Sequence, residues 1–202
     1  MSSANDHRIC FVGDSFTQGT CDPECRGWVG RVAAAGRTAG FDLTAYNLGV
    51  RRDTSRDVLA RWLLECEVRF RFECAKYVVF SFGTNDTKIE EGKQRIERNE
   101  SLANFRAILT PARSMYQCTV IGPVPVGDAA QNERVLELCS ELERESAALG
   151  IPYLPVAQRL LTNTRWLDEV RSNDGSHPGA EGYAALAAMV LDWREWWFMR
   201  AG

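Results

Sequence analysis

Ile9-Cys10-Phe11-Val12-Gly13-Asp14-Ser15-Phe16-Thr17-Gln18-Gly19 joins a short apolar run to a turn. Apolar residues that include β-branched Ile9 and Val12, broken off by Gly13 and Asp14, read as a buried strand leaving its sheet abruptly. Ser15 then stands at the carboxyl end of the first strand, the edge at which open α/β sheets bind ligands. Ser15 followed three residues on by Gln18 also fits a capping box. Taken alone, the stretch leaves both a helix cap and a nucleophile open.

Working outward, apolar positions among polar ones predict a helix from Trp28 to Ala39, ending near Gly40. Phe41 to Leu48 returns as a strand. A second helix is expected from Thr54 to about Phe72, with Val58, Leu59, Trp62, Leu63, Cys66 and Phe70 on its core face. Tyr77 to Phe82 is a strand that breaks at Gly83-Thr84-Asn85-Asp86, and the charged residues 88–95 read as a solvated connection. Ser101 to Met115 has a helical pattern that Pro111 should kink or restart. Thr119 to Gly122 gives a fourth strand, Asn132 to Leu149 a helix ending at Gly150, and Ile151 to Leu154 a short last strand. A final helix is expected from Ala180 to about Met199. Strands alternating with helices predict a parallel sheet with right-handed crossovers and helices on both faces, in one domain spanning residues 1–202.

Composition narrows the partners. A net charge of −3 leaves no broad basic surface for nucleic acid. The polar opening Met1 to Arg8 lacks the apolar core of a signal peptide, and no run is long enough to span a membrane, so a cytoplasmic location is expected. The 7 cysteines form no Cys-x-x-Cys pair and have no histidine at ligand spacing. Cys21 and Cys25, just beyond the Ser15 turn, are either loop thiols or a redox pair.

A serine becomes a nucleophile only when a base takes its proton. The chain has 2 histidines, and His7 lies in the polar opening, which leaves His177 as the candidate base. Asp174, three residues earlier on a Gly-containing turn, is close enough to hold the imidazole N–H and fix its tautomer. Without that pairing, Asp174-Gly175 reads as a simple turn and His177 as a residue at a helix start. Asn85 follows the third strand at the same sheet edge and can offer a side-chain amide to an oxyanion, as can the backbone N–H of Ser15.

Gly13-Asp14-Ser15, the block at Asn47, Gly83-Thr84-Asn85-Asp86 and Asp174-Gly175-Ser176-His177-Pro178, in this order, resemble the four blocks of the SGNH (GDSL) hydrolases. The resemblance implies a flavodoxin-like three-layer α/β/α fold with about five central parallel strands. It also implies metal-free and cofactor-free hydrolysis of acyl or acetyl esters through an acyl-enzyme. By position, Ser15 is the nucleophile, His177 the base, Asp174 its partner and Asn85 an oxyanion donor, while Asp14 belongs to the signature without being in the triad. The second block departs from the family pattern. Aligning Asn47, Val50 and Thr54 puts Arg52 where the family has the glycine whose N–H is an oxyanion donor. Arg52 is expected to donate from its main chain, in a strained backbone if φ is positive there, with Gly49 as the alternative donor.

Arg51, Arg52 and Arg56 favour an anionic or sugar-linked small-molecule ester, unless they form a solvated face or pair with Asp53 and Asp57. The same machinery would serve a thioesterase or lysophospholipase, and a binding module that has lost turnover is the reading from another class. A dinucleotide or P-loop reading of 13–19 fails on its spacing. Trp193, Trp196 and Trp197 share a face at helical spacing, which predicts packing onto the sheet, with a homo-oligomer contact or a membrane-surface anchor as alternatives.

Overall fold

The computed structural model describes residues 6–198. The polar opening residues 1–5 and the expected end of the last helix at Met199 lie outside the described residues. The chain begins β1 (His7–Gly13), α1 (Ser15–Gln18), α2 (Gly27–Thr38), β2 (Leu43–Gly49), α3 (Ser55–Arg69) and β3 (Ala75–Ser81). A short antiparallel hairpin follows, β4 (Ile89–Glu90) and β5 (Lys93–Gln94), then α4 (Arg98–Met115), β6 (Gln117–Ile121), α5 (Ala129–Ala148) and β7 (Tyr153–Leu154). Helices α6 (Ala157–Leu161), α7 (Thr164–Ser172) and α8 (Ala180–Leu191) complete it.

Five parallel strands form the central sheet in the order β2-β1-β3-β6-β7. Alternation along each strand divides the core into two. Ile9 and Phe11 of β1 and Tyr77 and Val79 of β3 face α2, α7 and α8. Cys10, Val12, Val78 and Phe80 face α3, α4 and α5. The result is the expected three-layer α/β/α arrangement. Because β2 lies on one side of β1 and β3 on the other, the strand order reverses at β1, and the carboxyl ends of β1 and β3 flank the crevice this creates.

Helix α1 sits directly on those strand ends, and the glycines there are needed for its close approach. A Cβ at Gly49 would fall on the backbone nitrogen of Gln18 and 2.7 Å from the carbonyl oxygen of Asp14. Asn47 fastens the same contact, donating from Nδ2 to the Thr17 carbonyl (2.9 Å) and accepting the Gly49 N–H at Oδ1 (3.0 Å).

The structure refines two expectations and corrects a third. Residues 88–95, expected as a solvated connection, are largely exposed and fold into the β4–β5 hairpin. Helix α4 runs through Pro111 as one element, so the helix does not restart there, and Ile108, Leu109 and Ala112 are all fully buried around the proline. Helix α8 stops at Leu191. The chain then turns, so that Trp196 and Phe198 are buried against β1 and the start of β3. The Phe198 ring lies 5.3 Å from Phe41 and 5.0 Å from Tyr77, and the Trp196 ring 6.4 Å from Phe11. A continued helix would carry these rings past the sheet, and burying them favours the turn.

Candidate active site

Asp14, not Ser15, caps α1: its Oδ1 accepts the Phe16 N–H at 2.9 Å, so no capping box forms between Ser15 and Gln18. Ser15 is thereby the first residue of α1 at the sheet edge, where a helix leaves its first N–H groups without intrahelical partners. Asp14 is wholly buried. Desolvation, reinforced by the charges of Asp86 and Asp53 and opposed by the Phe16 N–H, pushes its carboxyl up to about 7. A carboxyl raised from an ordinary 3.8 in the folded state costs stability progressively as pH climbs through that window. An asparagine oxygen can accept the same N–H without carrying charge. Asp14→Asn is expected to raise the melting temperature over wild type by a margin that widens between about pH 4 and about pH 7. Thermal melts across that range check it, and a margin that does not change with pH would refute the cause given.

Ser15 Oγ lies 2.7 Å from His177 Nε2, and His177 Nδ1 lies 2.7 Å from Asp174 Oδ2. The tautomer that donates Nδ1–H to Asp174 leaves Nε2 to accept from the serine hydroxyl. Asp174 Oδ1 also accepts the backbone N–H groups of His177 (2.8 Å) and Ser176 (3.0 Å). Desolvation raises the Asp174 carboxyl, but these bonds and the imidazole outweigh it and bring it to about 2. Desolvation lowers His177 below its ordinary 6.5, only partly offset by Asp174, so the ring is neutral at neutral pH. The Phe16 ring packs 4.7 Å from the imidazole and restricts its rotation.

The loop that carries Asp174 and His177 is tethered on both sides. The Gly127 N–H donates to the Gly175 carbonyl (2.8 Å), and Asn173 Nδ2 donates to the His177 carbonyl (3.2 Å). Just beyond, Glu169 accepts the N–H groups of Gly179 (2.8 Å) and Gly182 (2.6 Å) at the start of α8.

The segment after β3 is anchored by Asp86, which accepts from the Ser55 N–H (2.8 Å) and the Ser101 hydroxyl (2.7 Å). Thr84 is locked to Val124 through both its hydroxyl and the Val124 N–H, each at 2.9 Å. Between them Asn85 donates from Nδ2 to the Asp53 carbonyl (2.9 Å), which fixes its amide plane at the cleft. The Asp53 N–H donates to the Val50 carbonyl (3.2 Å), closing a four-residue turn in which Arg52, the third residue, has φ of 73°. This is the turn position that glycine fills without strain, and arginine holds it at a cost of roughly 1–2 kcal/mol. Among the described residues, the N–H groups of Ser15 and Arg52 donate to no protein acceptor. Gly49 is corrected as the alternative donor: its N–H is taken by Asn47, because the strand-end glycine serves the contact with α1.

Arg61 carries no motif, yet it ties the site together. It donates to the carbonyls of Gly13 (2.8 Å) and Leu48 (3.0 Å) and pairs with Asp53 at 2.6 Å. One guanidinium thus holds two strand ends and the Arg52 turn. The sequence signal was weak, since Arg61 is one of three arginines on its helix, with Arg56 and Arg69.

A cleft of about 230 Å³ lies over Ser15. Its lining includes Phe16, Arg51, Arg52, Thr84, Asn85, Lys88, Arg95, Val126, Gln131, Asp174, Ser176 and His177. Of the arginines singled out from the sequence, Arg51 and Arg52 reach it, whereas Arg56 does not line it and pairs with Glu100 at 2.7 Å. Lys88 and Arg95, which flank the hairpin, bring further positive charge. Arg52, Lys88 and Arg95 share Glu90 at 3.2, 3.3 and 3.5 Å. Cys21 and Cys25 are exposed free thiols with no bridge between them.

The sequence model of the GDSL-like lipase/acylhydrolase family matches residues 11–185. A curated relative, the uncharacterized protein YpmR of Bacillus subtilis (strain 168), is 38% identical over 80 residues. That stretch covers 39% of this chain and 31% of YpmR, so the chain matches about a third of the relative's length. The fold is similar to a lipase/acylhydrolase from Enterococcus faecalis, with a TM-score of 0.75, 24% identity and coverage of 91% of this chain and 93% of that one. It is also similar to Axe2, an acetylxylan esterase from Geobacillus stearothermophilus, with a TM-score of 0.81 at 16% identity over 100% of both chains. No helix among the described residues is long and apolar enough to cross a membrane.

Proposed function

This chain belongs to the GDSL-like lipase/acylhydrolase family, and we propose that it hydrolyses short-chain carboxylic esters, acetyl esters foremost, through an acyl-enzyme on Ser15. The observation that carries the reading is the line of contacts at 2.7 Å from Ser15 Oγ to His177 and on to Asp174. In the first step His177 Nε2 takes the hydroxyl proton as Ser15 Oγ attacks the ester carbonyl, and ionised Asp174 stabilises the imidazolium that results. The developing oxyanion is met by the N–H groups of Ser15 and Arg52 and by the Asn85 amide. His177 then returns the proton to the departing alcohol. A water deprotonated by the same nitrogen releases the acid and restores the serine. Loss of one prearranged donor slows such chemistry by about 10²–10³-fold. Asn85→Ala is therefore expected to lower kcat by that factor with a much smaller change in KM, as steady-state hydrolysis of 4-nitrophenyl acetate would read.

The acyl group is expected to be short because Phe16 and Val126 are the apolar walls of an otherwise polar cleft. This argues against the lysophospholipase alternative. The acetylxylan esterase that shares the fold is named for acetyl groups on a polysaccharide, and an acetyl group suits this cleft.

The rest of the substrate is expected to be anionic. Arg51, Arg52, Lys88 and Arg95 line the cleft of a chain whose net charge is −3, and one carboxylate, Glu90, serves three of them. A single charge-assisted hydrogen bond to a substrate carboxylate or phosphate contributes about 1.5–3 kcal/mol, a factor of ten or more in affinity. Hydrolysis of 4-acetoxybenzoate and of its neutral methyl ester tests both levels of the reading. Turnover of either supports the esterase. A kcat/KM at least about tenfold higher for the anion supports charge selection, and equal values would overturn it. Adding acetyl-CoA to the panel separates the thioesterase alternative.

A further inference from the structure

The ester chemistry leaves Cys21 without a role, although it stands beside the residues that perform it. Its Sγ lies 3.8 Å from Asp174 Oδ2. Sγ, a carboxylate oxygen of Asp174 and a ring nitrogen of His177 all lie within 4.8 Å of one another. The thiol is exposed, and its backbone is held in the left-handed region at φ 69° between two anchored neighbours. The Thr20 carbonyl accepts from the Tyr183 hydroxyl at 2.8 Å. Buried Asp22 accepts the N–H groups of Glu24 (3.0 Å) and Gly27 (2.7 Å) and pairs with Arg31.

Thiolate, imidazole and carboxylate together are the donor set of zinc and other thiophilic divalent cations. Around a tetrahedral zinc the donor atoms stand roughly 3.3–3.6 Å apart, given metal–ligand distances of about 2.0–2.3 Å. The sulfur–carboxylate separation is already close to that. To admit the ion the carboxylate must turn away from the imidazole by less than ~1 Å and the exposed thiol, within 4.8 Å of the ring nitrogen, must swing toward it, while Arg51, whose guanidinium is 3.7 Å from Asp174, is exposed enough to swing clear.

We propose that Cys21, Asp174 and His177 form an inhibitory site for a thiophilic divalent cation of the Zn²⁺ class. The Cys21 thiol gives its proton to solvent on binding. Thiolate and carboxylate then balance the ion's two charges, neutral imidazole completes the protein donors, and a fourth position stays open to water. An ion on Nδ1 displaces the ring hydrogen to Nε2, which then can no longer accept the serine proton. An ion on Nε2 takes that lone pair directly. Either way Ser15 loses its base. The inhibition rests on the esterase reading, whereas the binding does not.

The experiment is therefore read twice. Titration of the protein with CoCl₂ should develop a thiolate-to-cobalt charge-transfer band in the near ultraviolet, retained in Cys25→Ser and absent in Cys21→Ser and Cys21→Ala. Hydrolysis of 4-nitrophenyl acetate should be suppressed by ZnCl₂ and restored by EDTA. With each protein referred to its own zinc-free rate, the Cys21 variants should need at least about tenfold more zinc for half-inhibition, the factor that corresponds to ~1.4 kcal/mol of lost affinity. A band that persists without Cys21, or equal zinc sensitivity in wild type and both variants, overturns the site. A wild type that binds cobalt through Cys21 yet hydrolyses no ester sinks the esterase reading and leaves the metal site standing.

Discussion

Ser15→Ala is expected to lower kcat for 4-nitrophenyl acetate by about 10⁴–10⁶-fold and to abolish labelling by a fluorophosphonate probe. The magnitude follows from what the substitution removes. Without the hydroxyl no acyl-enzyme can form, and His177 is left facing a methyl group in place of the Oγ now 2.7 Å away. The Ser15 N–H, the Arg52 N–H and the Asn85 amide survive, so a residual rate above that in water should remain. The fold should survive too, because Asp14 rather than Ser15 caps α1. A circular dichroism spectrum and melting temperature close to wild type would separate lost chemistry from lost structure. A variant that keeps more than about a tenth of the wild-type rate would show that Ser15 is not the nucleophile.

Asp174→Asn is expected to cost about 10⁴-fold in kcat, with a pH signature that a loosened loop would not produce. Asparagine can present its amide N–H to Nδ1, which forces the ring hydrogen onto Nε2, the tautomer that cannot accept from Ser15. Asp174 also raises the pKa of His177 by hydrogen bond and by charge, against the larger lowering from desolvation. In wild type, where the neutral ring is the active form, the acid limb of kcat/KM should therefore fall at a pH below 6.5, the ordinary histidine value. Removing the carboxylate charge lowers the folded pKa further, so the limb of the variant should move to still lower pH while its plateau drops. Asp174 itself, held at about 2, stays ionised throughout that range and adds no second limb. A limb that moved upward in the variant would refute the assignment of Asp174 as the partner of His177.

The two effects differ from that of Asp14→Asn in the quantity they move. Asp14 is buried beneath the nucleophile and accepts a backbone N–H, so its charge acts on folding, whereas Ser15 and Asp174 act on the reaction. The contrast between neighbouring residues reflects which way each side chain points from the first turn of α1.

The alternating layers of this protein, its parallel sheet and the residue types of its candidate site were written in local sequence. Apolar runs such as Ile9–Val12 and Tyr77–Phe82, each cut by glycine and a short polar residue, encode strands and their exits through contacts between near neighbours. A chain with so few histidines leaves little choice of base. What local sequence could not determine is every direction that depends on a distant partner. Arg52 and Arg56 look alike in the sequence, yet one lines the cleft because Glu90 lies beside it and the other leaves it for Glu100. Gly49 gives its N–H to Asn47 rather than to the cleft, Arg61 binds the ends of two strands, and the aromatic tail folds back where a longer helix was expected. Ser15 and His177 meet across 162 positions of chain, and Cys21 reaches Asp174 across 153. Periodicity reports which face of an element is buried, but the rotation of a side chain about its own bonds is fixed by atoms that only the packed sheet and its helices bring near.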